Sequence, residues 1–231
     1  MREAPYQYPF SSVGLVQVTY VQDGYDEPVV RSGSGFLIRD QFILTAAHTL
    51  VPRSDKEALR GVKFRLWGGR NSRAVTDWQF HPSFKVPGSY PDLWSYDLVI
   101  GKLAKPYKNR YPLALKGLDG GDRVTGAVTI AGHTHDSTAV HYATATADSW
   151  PTPEFGRSWP IFLPAGTAWH GASGGPATQP YGNHVVVIGL VQGETTVTNQ
   201  STNVKTTRSF IVPLYMDPTE KFIRDYIRRH G

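Results

Sequence analysis

The reading of this chain turns on Gly171-Ala172-Ser173-Gly174-Gly175-Pro176. A serine hydroxyl is a weak nucleophile until a base takes its proton. Glycines at 171, 174 and 175 let the backbone bend sharply around that hydroxyl. Such a bend can aim the amides of Gly171 and Ser173 at one spot, an oxyanion hole worth roughly 10²–10³ in rate per donor. A plain glycine-rich turn carrying a surface serine has the same composition, so the stretch needs partners elsewhere in the chain.

Two upstream segments supply candidates. Leu44-Thr45-Ala46-Ala47-His48 ends a strand-like run. An imidazole titrates near neutral pH, so His48 can accept the serine proton and return it to a leaving amine. The chain holds eight histidines, most of which must serve solvent or packing. Ser95-Tyr96-Asp97-Leu98-Val99-Ile100 puts an acid at the head of a strand. Asp97 would hold the imidazole tautomer and stabilise the imidazolium. Alone it reads as a strand-cap aspartate. Together the chain order His48, Asp97, Ser173 is that of chymotrypsin-type β-barrels. It is not the order of subtilisins or α/β-hydrolases, which disfavours a serine esterase of another fold.

Outward from these motifs the chain reads as all-β. Val13 to Val21 is apolar and β-branched, and the run Gly35 to Leu44 is split by a turn at Arg39-Asp40-Gln41. Val62, Phe64 and Leu66 alternate with charged residues, a half-buried strand. Leu98 to Leu103, Val124 to Ala131, Ala139 to Ala147, Ile161 to Leu163 and Ser209 to Leu214 follow. His184 to Val191 is apolar almost throughout, which predicts a central strand covered on both faces. Gly117 to Asp122 is a glycine-rich break between two halves. Asp217-Pro218-Thr219-Glu220 forms a capping box before Phe222, Ile223, Tyr226 and Ile227, predicting a C-terminal helix over 218–229.

The three motifs, quoted as Thr45-Ala46-Ala47-His48, Asp97-Leu98-Val99 and Gly171-Ala172-Ser173-Gly174-Gly175-Pro176, resemble the signatures of the trypsin/chymotrypsin-like serine peptidases. Ser32-Gly33-Ser34-Gly35-Phe36-Leu37-Ile38 and Val187-Ile188-Gly189-Leu190-Val191 resemble that family's strands before the histidine and after the nucleophile. Tyr8-Pro9-Phe10-Ser11-Ser12-Val13-Gly14 and Ser95-Tyr96-Asp97 are most similar to its cysteine-free microbial branch, which includes the glutamyl endopeptidases. The resemblance spans nearly the whole chain. It implies two six-stranded antiparallel Greek-key β-barrels with the active site between them and a C-terminal α-helix. The corresponding segments are 1–116, 122–216 and 217–231. It implies a serine endopeptidase in which Ser173 is acylated, His48 is base and acid, Asp97 orients it, and Gly171 and Ser173 form the oxyanion hole. A binding protein of the same fold, with a silent site and a basic surface, is the alternative.

Departures from the family pattern set further expectations. Trypsins carry an aspartate just before the serine, which pairs with a new N-terminal amine on activation. Here that position is Ala172, so trypsin-style activation is not expected. The pocket-floor position, acidic in trypsins, is Thr167, and Leu163 to Ala172 contains no acid. A buried cation would lack its counter-charge there, which argues against Arg or Lys at P1. The histidine that glutamyl endopeptidases carry on the following strand is Val191 here. Thr167, His170, Val191 and Gly193 are the substrate-binding candidates, and a small, neutral or apolar P1 is expected.

The bulk composition narrows the rest. The net charge is +5, with no long Lys/Arg block, and the densest cluster is Arg224, Arg228 and Arg229. This reads as a soluble basic protein without a nucleic-acid partner. Cysteine is absent, which removes disulfide and thiolate chemistry. His133, His135 and His141 cluster in sequence, but two histidines in a polar loop more often bind nothing, so neither metal nor cofactor is expected. Asn199-Gln200-Ser201 is a glycosylation acceptor if the chain is secreted. No apolar run approaches membrane-spanning length. The first residues show no apolar signal core, leaving a cytosolic protein or one whose signal and pro-segment have been removed. The resemblance favours secretion. The expected partners are protein or peptide substrates, with no membrane, and the protein is expected to be a monomer.

Overall fold

A computed structural model describes residues 1–85, 96–108, 110–115, 124, 126–134, 137, 139–147, 161–199, 204–214 and 217–231. The expected junction at Gly117–Asp122, Ser95, His135 and the Gln200-Ser201 part of the glycosylation acceptor lie outside the described residues. Strand β1 (Arg2–Glu3) is followed by β2 (Val13–Gln22), β3 (Val29–Arg39), β4 (Phe42–Thr45), β5 (Glu57–Leu66), β6 (Arg73–Phe80) and β7 (Val99–Leu103). Strands β2 to β7 close a six-stranded barrel in the order β2-β3-β4-β7-β6-β5. The β3–β4 turn falls at Asp40-Gln41, inside the predicted break.

Period-two alternation decides which way each side chain of this barrel faces. Leu37, Ile43, Phe64, Val99 and Leu103 fill the barrel interior. Their neighbours Phe36, Ile38, Phe42, Leu44, Leu98 and Ile100 face outward and join a second cluster. Burying each of these side chains stabilises the fold by about 1.5–3 kcal/mol. The outward wall of β3, β4 and β7 is therefore apolar because another layer covers it.

That layer is the second sheet. It contains β8 (Ala114–Leu115), β9 (Ala127–His133), β10 (Val140–Thr146), β11 (Ile161–Pro164), β12 (Pro176–Tyr181), β13 (His184–Asn199) and β14 (Val204–Pro213). Its order is β1-β10-β9-β12-β13-β14-β11, with β8 parallel to β13. The sheet curls until β10 and β11 come into contact, but no hydrogen-bonded ladder joins them among the described residues. Among the described residues the second sheet forms a half-barrel, consistent with the two-barrel chymotrypsin-like fold that the resemblance implies. Segment 1–116 also contributes to both sheets, because β1 and β8 pair in the second one.

The segment 186–191 of β13 is buried on both faces, within the run whose composition predicts it. Val187 and Leu190 join the inter-barrel cluster, whereas Ile188 and Val191 join the interior of the second sheet. Helix α1 (Asp217–His230) puts Phe222, Ile223 and Tyr226 into the inter-barrel cluster. Its far end is tied to the first barrel by His230 Nδ1 to Asp77 Oδ2 at 2.8 Å and Arg229 to Gln79 at 2.9 Å. The two sheets and the helix share one apolar interface, and the polar motifs sit at its edge.

Candidate active site

Strand register brings the first two motif residues together. Strands β4 and β7 are antiparallel, with Thr45 opposite Val99. His48 follows β4 and Asp97 precedes β7, so both lie at the same end of the pair. Ala47–Thr49 forms a single 3-10 turn that turns the chain off β4. Asp97 is 1 % exposed. Its Oδ1 accepts the His48 backbone N–H at 2.8 Å, and its Oδ2 lies 2.6 Å from His48 Nδ1. The second contact puts the proton on Nδ1 and leaves Nε2 with its lone pair available. Burial pushes the His48 pKa down, but the Asp97 hydrogen bond and charge outweigh it, and the net direction is upward.

Ser173 comes from the loop between β11 and β12. Ala172 N–H donates to Trp169 O at 3.0 Å, Gly175 N–H to Ala172 O at 2.8 Å and Gly174 N–H to Val191 O at 2.7 Å. Gly171 has φ +99° and Gly174 φ +84°, both in the left-handed region that favours glycine. A Cβ on Gly174 would collide with the Ser34 carbonyl and Thr45 hydroxyl, and would lie 2.7 Å from Ala46 N. Ala46 is two residues from His48, so the nucleophile loop is wedged against the histidine turn. On its other side, a Cβ on Gly175 would collide with the Ala131 carbonyl of β9. The glycines are required by this close approach of two backbones.

The amides of Gly171 and Ser173 donate to no acceptor among the described residues. They are the two groups expected to form the oxyanion hole. The Ser173 hydroxyl donates to Gln192 O at 2.8 Å.

The substrate-binding candidates separate in the structure. Thr167 is buried, and its hydroxyl donates to Pro164 O at 2.7 Å. Val191 is 0 % exposed, with its N–H on Gly175 O and its carbonyl taking Gly174 N–H, so it braces the loop that carries Ser173. His170 is exposed next to Gly171. Gly193 sits at a bulge of β13, with open space where a Cβ would be. Three contributors escaped the sequence reading. Ser34 was quoted within a motif but given no role. Gln192 acts through its carbonyl, which no side-chain pattern signals. Glu194 lies outside the stretch searched for an acid, yet its Oε1 accepts Gly166 N–H at 2.5 Å and lies 3.5 Å from the Ser209 hydroxyl. Ser209 in turn receives Ala168 N–H at 2.8 Å, so this carboxylate stands beside Thr167. Among the described residues no group of three or more His, Asp or Glu converges as a metal site.

Residues 33–190 match the family described as the trypsin-like peptidase domain. The matched region covers more than half of the chain and includes all three motifs. The chain belongs to this family, and it is a peptidase-type domain on a chymotrypsin-like fold. A search of curated proteins finds no match.

Proposed function

We propose that the protein is a serine endopeptidase working through an acyl-enzyme on Ser173. The observation that carries this is the buried Asp97 carboxylate holding His48 by both its backbone N–H and its Nδ1. A buried carboxylate aimed at an imidazole, on a turn whose Ala46 meets the glycine that follows the serine, has one economical use, which is to make Nε2 a base. His48 takes the Ser173 proton as Oγ attacks the scissile carbonyl. The oxyanion then meets the Gly171 and Ser173 amides. His48 protonates the leaving amine, and water repeats the sequence to release the acid.

The finer expectations are part of the same proposal. The domain is a secreted monomer similar to the cysteine-free microbial branch, acts on proteins or peptides, and uses no cofactor. Among the described residues no helix is long and apolar enough to cross a membrane. P1 is small, neutral or apolar, because Thr167 brings no charge and Glu194 already spends Oε1 on Gly166. A peptide-library profile dominated by Arg or Lys would overturn that preference and assign Glu194 as the counter-charge.

The deciding experiment treats the parent and Ser173→Ala with a fluorophosphonate probe and reads the labelled mass. Labelling of the parent alone, at Ser173, is the expected result. A folded parent that stays unlabelled would turn the reading to the binding protein with a silent site.

A further inference from the structure

We propose that Ser34 is the positioning residue that holds the oxyanion loop in its working shape, a task for which the Ala172 side chain offers no polar group. The inference rests on the peptidase reading above. Ser34 belongs to β3 of the first barrel and is 0 % exposed, yet it reaches across the interface to the nucleophile loop. Its hydroxyl donates to Gly171 O at 2.6 Å and accepts His133 N–H at 2.8 Å. Its own N–H donates to Ser173 O at 2.8 Å. Its carbonyl accepts the Thr45 hydroxyl at 2.6 Å.

These bonds act on defined peptide planes. The plane joining residues 171 and 172 is gripped at its oxygen by Ser34 Oγ and at its nitrogen by Trp169 O. The plane joining 173 and 174 is gripped at its oxygen by Ser34 N–H and at its nitrogen by Val191 O. A peptide plane held at both ends cannot rotate without breaking two hydrogen bonds. The Ser173 N–H lies in the plane between these two, and the Gly171 N–H lies in the one before them. Gly171 would otherwise be the freest residue of the loop. The acceptance of His133 N–H fixes the direction of the Ser34 hydroxyl, so its hydrogen points at Gly171 O. Gly132 makes room for the arrangement, since a Cβ there would come within 2.7 Å of Ser34 Oγ and 2.9 Å of the Ala172 Cα. The hole is thereby assembled by docking of the two barrels, with no charged pair beneath it among the described residues.

The test compares the parent, Ser34→Ala, Ser34→Cys and Thr178→Val by steady-state kinetics, fluorophosphonate labelling and amide hydrogen exchange. Thr178→Val is the control, because it removes a buried hydroxyl bond (to Thr129 O, 3.0 Å) remote from the site. Ser34→Ala should lower kcat and the labelling rate by about ten- to a hundredfold with KM nearly unchanged, since it loosens donors that act mainly in the transition state. Exchange of the Gly171 and Ser173 amides should quicken, while the His48 limb of the pH profile stays in place. Ser34→Cys, which keeps the size and a weak donor, should fall between. Unchanged kcat in Ser34→Cys or Ser34→Ala would overturn the proposal. So would a kcat loss matched by Thr178→Val at equal loss of stability. A parent that never labels would remove the peptidase reading instead, and unaltered amide exchange in the Ser34 variants would then separately remove the role of Ser34.

Discussion

The Ser173 hydroxyl rests on the Gln192 carbonyl at 2.8 Å and makes no hydrogen bond to His48 among the described residues. In the proposed mechanism this hydroxyl must leave Gln192 before His48 can take its proton. Releasing it forfeits one hydrogen bond, worth about 1 kcal/mol net, a modest toll against the barrier of acyl transfer. Crystal structures of the free protein and of its fluorophosphonate adduct should show Oγ leaving Gln192 for the probe. Free-state density with Oγ on His48 Nε2 would contradict this.

On the proposed mechanism Asp97 should set both the rate and the pH dependence. Burial lowers the His48 pKa, and the Asp97 hydrogen bond and charge raise it further than burial lowers it. Catalysis needs the neutral imidazole, so the acid limb of kcat/KM should lie above the ordinary histidine value of about 6.5. The linkage to stability runs the other way. Because the folded pKa is raised, the protonated His48–Asp97 pair stabilises the fold below the unfolded value, and this is lost as pH rises through the folded value. Asp97→Asn should cut kcat by roughly 10⁴ and leave burial dominant, moving the titration of His48 downward. An NMR titration of the imidazole checks the direction.

Gly175 and Gly126 separate steric need from backbone strain. Gly175→Ala drives a methyl group into the Ala131 carbonyl and to 3.0 Å from Ala172 O. It should destabilise by about 1–3 kcal/mol or more and abolish labelling. Gly126 has φ +83° but open space around it. Gly126→Ala should cost about 1–2 kcal/mol and leave labelling intact. Urea unfolding of both variants, with equal costs, would refute the packing account.

His133 should make the fold acid-sensitive. Burial holds its pKa down at about 4, with Arg65 and His141 pushing the same way and the Ser137 backbone opposing. An unfolded histidine titrates near 6.5, so the unfolded chain binds more protons between these values. Stability should fall as pH drops through that window, by about 3 kcal/mol in all. His133→Leu should flatten this part of the stability curve in denaturant melts. An unchanged slope would exclude His133 as its source.

Much of this protein can be read directly in its residues. Alternation at Val62, Phe64 and Leu66 marks a strand with one buried face, and the unbroken apolar run of β13 marks one buried on both. The order His48, Asp97, Ser173 with glycines around the serine marks the proposed site, because each of those chemistries needs a particular side chain. Other features belong to no side-chain pattern. The curl of the second sheet, the entry of β1 and β8 into it, and the resting place of Ser173 on Gln192 depend on where distant backbones meet. Ser34 shows the difference best. Its sequence context says only that a small polar residue sits on a strand. Its hydroxyl acquires a task only when barrel docking sets it against Gly171, 137 positions away in the chain. Local sequence determines strands and reactive groups through short-range sterics and chemistry, whereas hydrogen bonds between remote main-chain groups exist only once the tertiary structure has closed.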